Sequence, residues 1–258
     1  MNAANGKPQL GGQTVVVIGG SAGIGLATAR RARDWGADVI ITARDPDRLL
    51  RVGLELGASI AAFDATDFDR LARFFAELQW PIDHVLVTGP GPYYAPLAQF
   101  DIEAARRDLD SHVLLPIQVA RNAASCVRPG GTLLFMGGTV GRRTAPGLSL
   151  VSALSVGKPA LTKNLALELA PIRVNLIAAG FVDTPLSATI LGDELDARCE
   201  QLRTMLPIRR VVGAEDIATL AIDLMLNTAV TGATFDIDGG QQLVGGRFKP
   251  SVQPRRPP

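Results

Sequence analysis

Histidine, tyrosine, tryptophan and cysteine each occur only twice among the 258 residues. The two cysteines, Cys126 and Cys199, stand far apart and make neither a disulfide framework nor a metal knuckle, so a reducing, cytoplasmic setting and no metal are expected. No run approaches 18 consecutive apolar residues, which argues against a membrane-spanning helix. Neither sign of charge dominates: 26 Lys and Arg face 25 Asp and Glu, a net +1 that creates no field for nucleic acid or anionic lipid. A small-molecule substrate is the better expectation. The polar opening, with Gly6 and Pro8, lacks the apolar core of a secretory signal, and residues 1–12 read as a flexible arm. Residues 247–258 alternate Pro and Arg and read as a tail without regular structure.

What is present is enough apolar residue, 47%, to bury one domain over residues 13–246. Short β-branched runs alternate with amphipathic helical patterns, which implies an α/β fold with a doubly wound, seven-stranded parallel sheet. Strands read at Thr14 to Ile18, Asp38 to Thr42, Ser59 to Phe63, His84 to Val87, Thr132 to Met136, Arg173 to Ile177 and Thr234 to Ile237. Helices read, among others, at Gly25 to Trp35, Asp67 to Leu78, Ile102 to Ala124, Ala160 to Leu169 and Ala214 to Leu226. Pro185 to Pro207 breaks the rhythm and is too long for an ordinary connection; it reads as a pocket cover or a surface excursion with one helix of its own.

After the first strand comes Gly19-Gly20-Ser21-Ala22-Gly23-Ile24-Gly25, then a helix. Glycines there let backbone N–H groups approach a pyrophosphate at the positive end of a helix, so the segment points to a bound dinucleotide.

The chain resembles the short-chain dehydrogenase/reductase family. Its glycine motif is matched at Gly19, Gly23 and Gly25. Phe63-Asp64-Ala65-Thr66-Asp67 is similar to the family's adenine-contacting segment, with Asp64 and Ala65 as contacts. Ala179-Gly180-Phe181-Val182-Asp183-Thr184 is similar to its nicotinamide loop, which nominates Gly180, Val182 and Thr184. Thr88-Gly89-Pro90-Gly91 stands where the family has Asn-Asn-Ala-Gly, adding Thr88 and Gly89. The resemblance implies a Rossmann fold, a nicotinamide cofactor, and a homodimer or homotetramer.

At the end of the second strand a carboxylate would accept from a ribose 2′-OH, whereas a guanidinium pairs with a 2′-phosphate. The chain reads Thr42-Ala43-Arg44, so Arg44 favours NADP(H), with Ser21 as a second donor.

The family's proton chemistry uses an Asn-Ser-Tyr-Lys tetrad. Only Tyr93 and Tyr94 exist, both just after the fourth strand, so no alignment supplies that tyrosine. Counted back from Lys163 to Glu168, the four positions hold His112, Gly138, Val151 and Ser155; a gapped register would put Lys158 at the lysine and Leu154 at the tyrosine, with Pro159 disturbing the helix. Ser149, Ser152, Ser155 and Lys158 read as one polar row facing the cofactor, a solvent or a second subunit. His112, whose imidazole titrates near neutrality, and Tyr93 are the replacement proton donors. Three functions fit: an atypical NADP(H)-dependent oxidoreductase acting on a small carbonyl, imine or activated alkene; an NADP(H)-binding sensor or scaffold without redox turnover; and a non-redox lyase or isomerase on the same fold.

Overall fold

The computed structural model describes residues 9–78 and 81–244. Most of the expected arm and all of the Pro/Arg tail lie outside them. The part of the arm that is described, 9–12, is not loose. Leu10 is fully buried among Val15, Ala32 and Ala37, and its N–H donates to the Trp35 carbonyl at 3.0 Å. A leucine beside a forming core gains more from burial than a free arm would keep in entropy.

The chain begins with β1 (Thr14–Ile18), α1 (Gly23–Asp34), β2 (Asp38–Ala43), α2 (Pro46–Leu56), β3 (Ser59–Ala62), α3 (Phe68–Glu77) and β4 (Ile82–Val87). Then follow α4 (Ile102–Leu109), a π-helical turn (Asp110–Leu114), α5 (Leu115–Ala123), β5 (Val127–Gly138) and α6 (Ser149–Glu168). The last third holds β6 (Arg173–Ala179), β7 (Val182–Asp183), α7 (Pro185–Leu191), α8 (Leu195–Met205), β8 (Val212–Gly213), α9 (Ala214–Leu226) and β9 (Thr234–Ile237). Local chemistry sets several boundaries. Asp45 caps α2 by accepting from the Arg48 N–H at 3.0 Å, Pro46 occupies its first position, and Asp67 caps α3 through the Arg70 N–H at 2.9 Å.

Seven strands pair in parallel in the order β3-β2-β1-β4-β5-β6-β9, giving a single-domain Rossmann-like α/β fold; β7 and β8 form a separate two-stranded ribbon. Alternation along β1 divides the core. Val15 and Val17 face α1 and α9, where Ala29, Ile217 and Ala221 meet them. Val16 and Ile18 face Leu71 and Phe74 of α3 and Val119 of α5. Chain direction reverses its spatial progress between β1 and β4, which opens a crevice at their carboxyl ends.

Three expectations change. The helix read at 160–169 starts at Ser149 and runs through Pro159 without ending: beside the proline, Lys158 Nζ ties the helix to the Met136 carbonyl at 2.9 Å, and one turn on, Thr162 Oγ1 donates to the Lys158 carbonyl of the same helix at 2.9 Å. The insertion 185–207 carries two helices, not one, because Gly192 at φ +51 ends α7 before α8 begins. The serine row does not share a face. Steps of three residues rotate by about −60° each on a helix, so Ser149 is exposed while Lys158 is buried.

Candidate active site

The glycine loop is built around Thr88. Gly19, at φ +87, leaves β1 in a conformation that a side chain resists, and a Cβ there would overlap Thr88 Oγ1. Thr88 Oγ1 donates to the Ile18 carbonyl at 3.0 Å and the Gly19 carbonyl at 3.1 Å, and its own N–H donates to Ile18 at 2.9 Å. A Cβ on Gly25 would strike the Gly19 carbonyl. The loop is thereby pressed against the ends of β1 and β4. Ala22 caps α1 without any side-chain hydrogen bond, so the first-turn N–H groups around Ser21, Gly23 and Ile24 are not consumed by a capping side chain. These residues fit a pyrophosphate.

The other cofactor candidates divide. Thr184 comes within 3.7 Å of where a Gly23 Cβ would lie, so the nicotinamide-loop candidate closes over the glycine loop. It also caps α7 through Ser187, whose Oγ accepts from the Thr184 N–H at 2.9 Å. Gly180 is enforced by packing: a Cβ would collide with Asp238 and Gln241. The Val182 side chain is buried and its backbone pairs with Val212, which leaves only main-chain atoms for a ligand.

Arg44 sits at the end of β2 with its side chain 72% exposed, and its closest carboxylate oxygen, on Asp64, is 3.9 Å away. The Gly19 and Gly20 N–H groups donate to the Thr42 carbonyl at 3.0 and 2.9 Å, which ties the phosphate loop to this corner. Burial pushes the Asp64 carboxyl up, but the N–H and hydroxyl of Thr66, aided by Arg44, outweigh it and hold the group below its usual range. Ala65 lies between them in the same turn.

Deeper in the crevice, the π turn carries His112. Its Nδ1 lies 2.9 Å from Asp108 Oδ1 and 3.1 Å from the Asp108 carbonyl oxygen, while Nε2 lies 3.9 Å from the position of a Gly89 Cβ. His112 thus points from the helix to the end of β4. Asp108 is a residue that sequence reasoning missed. Its side chain is 4% exposed, Oδ1 also accepts from the Tyr93 N–H at 3.2 Å, and Oδ2 has no hydrogen-bond partner. The available signal was the spacing of four between Asp108 and His112 on one helix face.

Around this carboxylate lie two further titratable groups. Burial pushes the Tyr94 phenol up to about 12, with the Asp108 charge adding to it. Burial also pulls the Lys158 ammonium down to about 8, opposed by the attraction of Asp108. Lys158 is buried in α6 with its Nζ donating to the Met136 carbonyl at 2.9 Å, and buried Leu154 lies one turn before it. Val151 is buried in turn. Ser155 and Gly138 instead line a separate cavity of about 240 Å³ with Pro159 and Thr234. The Tyr93 hydroxyl accepts from the Asp101 N–H at 2.7 Å and donates to the Gln99 carbonyl at 3.5 Å, and its ring packs edge-on against Phe100 with centroids 5.6 Å apart. That phenol organises a loop.

Among the described residues no cluster of three or more His, Cys, Asp or Glu is placed to hold a metal, and no helix is long and apolar enough to cross a membrane.

The chain is similar to known proteins over most of its length. The family model described as enoyl-(acyl carrier protein) reductase matches residues 19–242. The short-chain dehydrogenase/reductase ATR9 of Stachybotrys chlorohalonatus is 28% identical over 255 residues, covering 92% of this chain and 99% of that protein. The solved structure of the MalC reductase/Diels-Alderase from Malbranchea aurantiaca matches with a TM-score of 0.83 at 27% identity, over 92% of this chain and 99% of that one. The crystal structure of BdcA in complex with NADPH gives a TM-score of 0.80 at 26% identity, over 90% and 95%.

Proposed function

Because the chain belongs to the short-chain dehydrogenase/reductase family, whose members typically bind a nicotinamide cofactor, we propose that it is an NADP(H)-dependent reductase of a small carbonyl, imine or activated alkene, with His112 delivering the proton. The observation that carries this reading is the direction of His112 Nε2, toward Gly89 at the end of the strand that also supplies Thr88 to the phosphate loop.

When bound, the reduced nicotinamide supplies a hydride. The chain's residues do the rest. Gly19, Gly23 and Gly25 admit the pyrophosphate to the amino end of α1. Arg44, exposed and without a carboxylate at Ala43, pairs with a 2′-phosphate; that BdcA holds NADPH supports the same preference. Leu186 and Ile190 of α7 press toward Gly91, lying 3.2 and 3.1 Å from where its Cβ would be, and give the crevice an apolar wall that excludes water.

The family tyrosine has no counterpart in this reading. Leu154 occupies its turn, Tyr93 is committed to the loop, and a phenol held at about 12 is a poor acid at neutral pH. His112 is the side chain aimed at the end of β4, its Nε2 lying 3.9 Å from the position of a Gly89 Cβ. The reading includes a homodimer or homotetramer in the cytoplasm.

The test is a titration with NADPH and NADH followed by turnover on carbonyl, imine and enone panels, read as loss of reduced cofactor. The expected result is tighter binding of NADPH by about tenfold or more and oxidation on at least one panel, abolished by His112→Gln. Tight binding with no oxidation on any panel would replace this reading with a nucleotide-binding protein without turnover.

A further inference from the structure

Two oxygens face His112 Nδ1, and neither can donate: the main-chain carbonyl of Asp108 at 3.1 Å and its carboxylate Oδ1 at 2.9 Å. Nδ1 must then carry the proton. The carboxylate is itself fixed from outside the helix, since Oδ1 accepts from the Tyr93 N–H at 3.2 Å and the side chain is almost wholly buried. The groups facing it are Tyr94 from the loop after β4 and Lys158 from α6, both close enough for the Asp108 charge to act on them.

We propose that Asp108 is the positioning residue of His112, holding its proton on Nδ1 so that Nε2, turned toward Gly89, is the atom that exchanges protons with the ligand. The inference rests on the reading of His112 as proton donor. In the reduction, the imidazolium would give its Nε2 proton to the substrate oxygen, or to the corresponding nitrogen or carbon, with a bound reduced nicotinamide supplying the hydride to the electrophilic carbon. Nδ1–H stays between the two Asp108 oxygens, and solvent returns a proton to Nε2. The Asp108 charge balances the imidazolium before transfer, which a neutral residue would not do.

The test uses the full chain labelled with 15N in its two histidines, with His84→Gln to assign the signals, recorded at alkaline pH where imidazole is neutral. In the parent protein the His112 resonances should report Nδ1–H as the dominant tautomer. Asp108→Ala should convert it to a mixture. Asp108→Asn, which keeps an oxygen for Tyr93 and for Nδ1, should keep the tautomer yet lower kcat about tenfold or more with KM little changed. A dominant Nε2–H tautomer in the parent would overturn the inference whether or not the protein turns over. An unchanged Nδ1–H tautomer in Asp108→Ala would overturn it as well, assigning the role to the backbone carbonyl alone. Absence of turnover with the expected tautomers would sink the reductase reading and leave the Asp108–His112 pairing standing.

Discussion

Thr88 clasps Gly19: its hydroxyl reaches the Gly19 carbonyl at 3.1 Å and occupies the space a Gly19 Cβ would need. The phosphate loop and the end of β4 are therefore one unit, and damage to either should be felt in both stability and nucleotide affinity. Gly19→Ala places a side chain at φ +87 and should cost about 1–3 kcal/mol while abolishing NADPH binding. Thr88→Val should cost about 1–2 kcal/mol and weaken binding without abolishing it. Urea unfolding with and without NADPH measures both.

Arg44 makes only a long contact to Asp64 and is otherwise exposed, so its removal should not affect folding. Arg44→Ala is expected to weaken NADPH by about tenfold, roughly 1.4 kcal/mol, and to leave NADH unchanged. Calorimetric titration of both nucleotides reads the difference, and a parallel loss for NADH would remove Arg44 from phosphate recognition.

His84 gives the protein an acid weakness far from the crevice. Its Nε2 meets Gln13 Oε1 at 2.7 Å, its Nδ1 has no partner, and burial, assisted by the nearby Arg173 charge, pulls its pKa from 6.5 to about 3. Between those values the unfolded chain binds a proton that the folded chain refuses. Stability from this group is complete above about 6.5 and falls by about 1.4 kcal/mol for each pH unit below it. His84→Gln should flatten that slope in denaturation midpoints measured from neutral to mildly acidic pH.

Leu154 lies one turn before Lys158 and is buried. Leu154→Tyr should return a phenol beside that ammonium and raise ketone reduction about tenfold or more, at about 1–3 kcal/mol of stability lost to overpacking. Steady-state kcat and a thermal melt check the two halves; no gain in a folded variant would mean that the turn does not face the reacting carbonyl.

The legible parts of this molecule were those whose physics is local. β1, β9 and α9 begin and end where β-branched runs and turn residues place them, and the glycine loop announces itself because only glycine fits beside Thr88. α6 is half legible, since Pro159 is a helix breaker by its chemistry and yet lies inside a helix whose Lys158 is tied to the Met136 carbonyl. The serine row was misread by treating a spacing of three as a face. For Asp108 the four-residue spacing to His112 is the one local signal, because an aspartate on a predicted surface helix looks solvated and its burial beside the Tyr93 loop is a tertiary matter.

The wide turn at Asp110–Leu114, closed by the Leu115 N–H on the Asp110 carbonyl, amounts to one surplus residue spliced into an otherwise regular rod. Excising a single position there would restore ordinary winding, keeping Ala105 and Val119 in phase with the interior while turning residue 112 to another bearing. A chain shortened by one residue at this point should therefore keep its architecture while His112 no longer faces Gly89.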